Sequence, residues 1–152
     1  MKYFVIISMV MSLFILSTGS FAQDTDGKTG TLTVVVTSVK NNDGLVMVAI
    51  CNSEEAYTSD EEEPSCTGRA GEIENEQSTV VFEDLPLGEY AIKLFHDENE
   101  NGELDTNFLG IPKEDYAFSN NAKGSFGPPK YEKAKFDVTG DLTIELTLAS
   151  EE

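Results

Sequence analysis

The chain has a single histidine, His96, and only two cysteines, Cys51 and Cys66, so the usual zinc sites of His and Cys cannot be assembled. No G-x-S-x-G nucleophile elbow occurs, which removes a common signature of Ser-His-Asp hydrolases. Basic residues are scarce: ten Lys and Arg stand against 28 Asp and Glu, for a net charge of −18. Such a field repels phosphate backbones and anionic lipid, so nucleic acid is not expected as a partner and cations are the natural ligands. Beyond the first 22 residues there is no second long hydrophobic run, and no membrane span is expected in the mature chain. No internal repeat is visible.

What is present begins with a leader. Lys2 precedes an apolar run over 3–16, and Ser20, Phe21 and Ala22 form the small-x-small pattern that suits signal peptidase. That run is shorter than the roughly 20 residues a span needs, and no Cys follows it as a lipid-anchor site. Residues 1–22 therefore read as an export signal cleaved near Ala22, and the protein is expected to be periplasmic or secreted. Loss of Lys2 moves the net charge from −18 to −19. Export places Cys51 and Cys66 where disulfides persist, and one bridge between them is expected. Closing a loop of about 15 residues would stabilise the fold by roughly 3 kcal/mol in the chain-entropy model.

Residues 23–30 form a polar, flexible lead-in. Residues 31–39, TLTVVVTSV, place Leu32, Val34 and Val36 on one face of a strand. The turn residues of 40–44 suit a hairpin, with 45–51 as a return strand apolar enough to be covered on both faces. Residues 52–64 are an acidic excursion with one helical turn begun by Ser53 and Glu54, and the like-charge run at 60–63 reads as a solvated loop. A short edge strand is expected at 69–74. Val80 and Phe82 point inward from the next strand, LPLG at 85–88 turns the chain, and Tyr90, Ile92, Leu94 and His96 share one face of another. Ala134, Phe136 and Val138 alternate with polar residues, as do Leu142, Ile144, Leu146 and Leu148. The pattern predicts an all-β domain over 31–149: a single antiparallel β-sandwich of about seven strands with one long ordered loop.

That loop, residues 96–129, exceeds the usual length of a connection, and long segments of this kind are functional or disordered. Its Phe108, Leu109, Ile111, Tyr116, Phe118 and Phe126 argue for order. Asp97, Asn99, Asn101, Gly102, Glu103 and Asp105 match the first nine positions of an EF-hand-type calcium loop, Glu103 through its carbonyl. Phe108 stands where the bidentate Glu should close the shell, and no helix enters the loop. An isolated calcium loop entered from a strand is therefore expected, with the missing ligand supplied by Glu114, Asp115 or water. Two neutral Asn ligands imply weak binding, about 10⁻⁴ to 10⁻³ M. The plainer alternative is that Asp, Asn and Gly here only form turns.

His96, at a strand end, suits packing or hydrogen-bonding support for the loop. Asn107, Ser119, Asn120 and Asn121, with Tyr116 and Phe118, have the chemistry to bind a small polar ligand such as a sugar, or to pack the loop and satisfy its backbone.

The pattern HDxNxNGxLDxNxxGxPxExxxFSNN, from His96 to Asn121, resembles an uncharacterised bacterial exported family, domain of unknown function 2141. The likeness extends over about 31–148, while the acidic insert and cysteine pair at 51–66 look peculiar to this chain. F-x-D-L-P-x-G-x-Y-x-I, from Phe82 to Ile92, is similar to a unit of transthyretin-like (prealbumin-like) and carboxypeptidase-regulatory-like sandwiches. The resemblance implies compartment and fold, with no established activity. The expectation is thus an exported, non-catalytic binding or structural module whose loop calcium stabilises, its partner a small polar ligand or an envelope protein. The alternative is a small secreted hydrolase or carbohydrate-binding module using residues 96–121.

Overall fold

The computed structural model describes residues 27–59, 66–125 and 127–148. The leader, residues 23–26 of the lead-in, the acidic run at 60–63 and Phe126 lie outside the described residues. Eight strands run in chain order as β1 (Thr29–Thr37), β2 (Leu45–Cys51), β3 (Thr67–Glu74), β4 (Gln77–Pro86), β5 (Gly88–Asp97), β6 (Tyr116–Phe118), β7 (Phe136–Val138) and β8 (Leu142–Thr147). Two short helices, α1 (Glu54–Thr58) and α2 (Tyr131–Ala134), and a 3-10 turn at Ser119–Asn121 complete the described elements.

The strands form one sheet in the order β6-β5-β2-β3-β4-β1-β8, with β7 paired to the start of β5, and the sheet curls until it is nearly closed like a barrel. Its continuity depends on β3. This strand pairs with β2 through residues 67–72 and then with β4 through Ile73 and Glu74, so it joins the two halves. It is an interior strand, not the expected edge. The expected hairpin across 40–44 is also absent: β1 pairs with β4 and β8, whereas β2 pairs with β3 and β5. Nor is the pairing wholly antiparallel, because β8 lies parallel to β1 from Leu32↔Leu142 to Thr37↔Thr147.

Alternation explains the core. Leu32, Val34 and Val36 of β1 are fully buried and meet Val80 and Phe82 of β4, Val46, Val48 and Ile50 of β2, Ile92 and Leu94 of β5, and Leu146 and Leu148. Between the buried residues of β2, Met47 and Ala49 are only half-buried, so that strand is covered on one face, not two. At about 25 cal/mol per Å² of apolar area removed from water, this cluster is the main source of stability.

A second, smaller cluster lies around Cys51, Ala56, Tyr57, Ala91, Phe118, Tyr131 and Ala134. Ser53 caps α1 by accepting from the Ala56 amide, as expected from sequence, and the Cys51–Cys66 disulfide is formed. Tyr57 donates its hydroxyl to the Pro129 carbonyl and meets the rings of Phe118 and Tyr131 edge-on. Burial pushes its phenol up to about 12. The region expected to be strand from 133 onward begins instead with the last residues of α2, and Ala134 enters this cluster.

Candidate functional site

The long segment leaves the end of β5, forms a compact double turn, returns as β6, and is anchored from beneath by the 40–44 turn. It is thus partly strand, not a continuous loop. Asp97, 1% exposed, sits at its entry. Its Oδ1 accepts the Asn101 amide at 3.1 Å and its Oδ2 the Gly102 amide at 2.8 Å. Gly102 adopts φ +79°, which an L side chain would resist, so the chain can curl back over the carboxylate. Asn99 and Asn101 direct their Nδ2 groups to the two oxygens of Asp105, at 2.7 and 3.2 Å. Their own Oδ1 atoms accept the amides of Asn101 and Glu103. The side chains of Asp97, Asn99, Asn101 and Asp105 therefore converge in one hydrogen-bonded turn, and Glu103 remains exposed at its outer side.

Glu114 fastens this turn to the returning chain. Only 7% exposed, it accepts the Glu98 amide through Oε1 at 3.1 Å and the Asp105 amide through Oε2 at 2.9 Å. The next residue, Asp115, accepts the His96 amide with its backbone carbonyl. Among the described residues, no group of three or more His, Cys, Asp and Glu could by itself hold a metal ion. Any cation here would rely on the two Asn amides as well.

His96 is completely buried. Its Nε2 donates to the Asp43 carbonyl at 2.6 Å, and its Nδ1 has no hydrogen-bond partner. On the same turn, Lys40 contacts Glu98 at 3.1 Å, and this hydrogen bond, together with the charge of Glu98, raises the Lys40 pKa. Gly44, at φ +69°, lies so close to β5 that a Cβ would come within 1.9 Å of the Asp97 carbonyl oxygen. Sequence reasoning placed 40–44 in a hairpin and missed this role as a foundation. Its Asn-Asp-Gly string signals a reversal but not what the reversal rests against.

The other candidate residues have identifiable local tasks. Asn107 accepts the Leu109 and Ile111 amides through Oδ1 and closes a five-residue tip. Ser119, fully buried, accepts the Ile92 amide at 2.8 Å and donates to the Ala134 carbonyl. Asn120 donates to the carbonyls of Lys133 and Lys135, and Asn121 accepts the Thr147 amide. Both Asn residues have positive φ, 61° and 46°, a conformation Asn tolerates better than most. Ser119 and Asn120 thus tie α2 to β5, and Asn121 bridges the seam between β6 and β8.

Two cavities adjoin the segment. One, of about 370 Å³, is lined by Pro112, Tyr116, Phe118, Asn121, Lys123 and Thr147, among others. The second, of about 510 Å³, lies along β2, β5 and β6 and includes Met47, Ala49, Phe95, Leu104, Tyr116 and Phe118. Tyr116 and Phe118 line both and Asn121 lines the first, whereas Asn107, Ser119 and Asn120 serve as tethers of the backbone.

Comparison with known families matches residues 34–145 to a model described as "Uncharacterized protein conserved in bacteria (DUF2141)". Neither a curated protein nor a solved structure matches the chain.

Proposed function

Since the chain belongs to the DUF2141 family of uncharacterized bacterial proteins, we propose that it is an exported, non-catalytic binding or structural module whose long segment is stabilised by calcium. The single observation that carries this reading is the convergence of Asp97, Asn99, Asn101 and Asp105 on one turn about a buried carboxylate. All four supply hard oxygen donors, the type calcium takes, with the Glu103 carbonyl as a fifth and Glu114 or Asp115 in reserve. The ion would neutralise the converging carboxylates of Asp97 and Asp105. The amide-to-carboxylate bonds of the two Asn residues compete with it, which is consistent with weak affinity.

The buried His96 supports the non-catalytic reading over a hydrolase, since its Nε2 is occupied by a backbone carbonyl. A carbohydrate-binding role is favoured by one observation, the aromatic wall of Tyr116 and Phe118 with Asn121 in the 370 Å³ cavity. As to fold, the facing of β1 and β4 against β2 and β5 across the core supports a transthyretin-like sandwich derivation of the curled sheet.

The melting temperature of the mature chain, measured in EDTA and across a calcium titration to several millimolar with magnesium as control, tests the reading. For a Kd of about 10⁻⁴ to 10⁻³ M, stabilisation of about 1 to 2 kcal/mol is expected at several millimolar calcium. It should vanish in Asp97→Ala and Asp105→Ala. A flat response in the unaltered chain would remove calcium and leave a segment ordered by hydrogen bonds alone.

A further inference from the structure

We propose that the tip of the long segment, formed by Phe108, Leu109 and Ile111, is a docking surface for a basic, amphipathic segment of a partner protein. These side chains are 96%, 67% and 55% exposed. Among the described residues only Val81, at 37%, joins them as an exposed large hydrophobic. Single exposed apolar residues are ordinary on a protein surface, whereas a concentration of them on one small turn marks an interaction site.

The tip is also held in shape. Asn107 Oδ1 accepts the Leu109 amide at 2.8 Å and the Ile111 amide at 3.1 Å. The Asn107 carbonyl accepts the Gly110 amide, the Asn107 amide donates to the Ile111 carbonyl, and a bridge between Thr106 and Pro112 closes the base. Exposure is therefore built into a fixed turn, and a surface ordered in advance loses little conformational freedom on binding. Ile111 and Pro112 continue onto the rim of the 370 Å³ cavity beside Tyr116 and Phe118, which offers a recess for a partner side chain.

Charge selects the occupant. The chain carries −18, and Glu100 and Glu103 are exposed on the same segment, although Lys113 and Lys123 also line the cavity. That field repels anionic lipid and a second copy of the chain, and attracts a partner in which Lys or Arg flank apolar residues. The inference rests on the reading of the long segment as a presented surface, and it does not require the ion.

The test uses two synthetic Leu/Lys peptides of about 14 residues, roughly four helical turns, identical in composition. One is patterned to form an apolar face and the other scrambled to have none. Calorimetric titration of the mature chain should show at least about tenfold tighter binding of the patterned peptide. Phe108→Ser with Ile111→Ser should abolish that preference without changing the melting temperature, since both side chains are exposed. Equal affinity for the two peptides, or a preference unaffected by the double variant, would reduce the interaction to charge attraction and overturn the proposal. Tip-dependent binding to phosphatidylcholine vesicles without peptide selectivity would overturn it in favour of lipid. Peptide selectivity that persists in a chain whose melting ignores calcium supports docking while removing the ion, so the two readings fail separately.

Discussion

The Nε2–H of His96 donates to the carbonyl oxygen of Asp43 at 2.6 Å, and so joins the end of β5 to the 40–44 reversal beneath the long segment. The opposite ring nitrogen is buried without a partner. His96→Ala should therefore cost about 3 kcal/mol through a cavity and a lost hydrogen bond. His96→Leu fills the volume and removes the orphaned Nδ1, so its cost should fall to about 1 kcal/mol. Urea denaturation of both variants checks the ordering; equal losses would show that the hydrogen bond dominates over packing.

Glu114 supplies the only side-chain link described between the double turn and the returning strand, through the amides of Glu98 and Asp105. Glu114→Ala leaves both donors without their charged acceptor and should destabilise the segment by about 2 kcal/mol. Hydrogen exchange at residues 98–113 should accelerate while the amides of β1 and β4 stay protected. Uniform acceleration throughout the chain would instead make Glu114 part of the global fold.

The bridge between Cys51 and Cys66, 15 residues apart, secures α1 and Tyr57 over the second cluster. Reduction should lower stability by roughly 3 kcal/mol. Proteolysis of the reduced protein should begin within the 52–66 excursion, with fragment masses identifying the cut. Cleavage beginning elsewhere would show that the excursion is held by packing alone.

Tyr57 gives the fold a definite alkaline limit. Its phenol is raised by burial to about 12 from an ordinary 10.0, so the neutral form is favoured in the folded state. The associated stability is fully present below pH 10 and is lost as pH rises from there through about 12, when the unfolded chain ionises first. A loss of about 1 to 2 kcal/mol is expected after allowance for solvent screening. Denaturant titrations at pH 9, 10.5 and 11.5 should find a shallower decline in Tyr57→Phe. The remaining slope would be shared by Tyr90 and Tyr131, which burial also raises, and by Lys40 and Lys135, which their carboxylate partners raise.

The parts of the structure legible in the sequence were those fixed by local chemistry. The inward faces of β1, β4 and β5 follow from a period of two, the α1 cap from Ser53, and the turn over Asp97 from regularly spaced Asp, Asn and Gly. Pairing was less legible, because a string such as Asn-Asp-Gly reverses a chain without deciding whether the flanking strands become neighbours. Glu114 acts through backbone amides 16 and 9 residues away, and no sequence pattern marks such a reach. The Ser-Asn-Asn run suits ligand binding or satisfaction of backbone groups, but its partners were not legible: two of its members hold α2 and the third reaches β8, tasks set by tertiary placement.

The parallel pairing of β1 with β8 also has a consequence for the order in which the molecule is made. Leu32 lies beside Leu142, 110 residues later in the chain, and Leu146 and Leu148 close the core that β1 opens. A ribosome delivers β1 early, but its outer edge has no partner until β8 emerges. Contacts so distant in sequence are slow to form, because the intervening chain must be ordered before they repay its loss of freedom. The core is consequently incomplete until β8 has been made. If the chain is exported as proposed above, this delay would serve as a built-in form of transport competence.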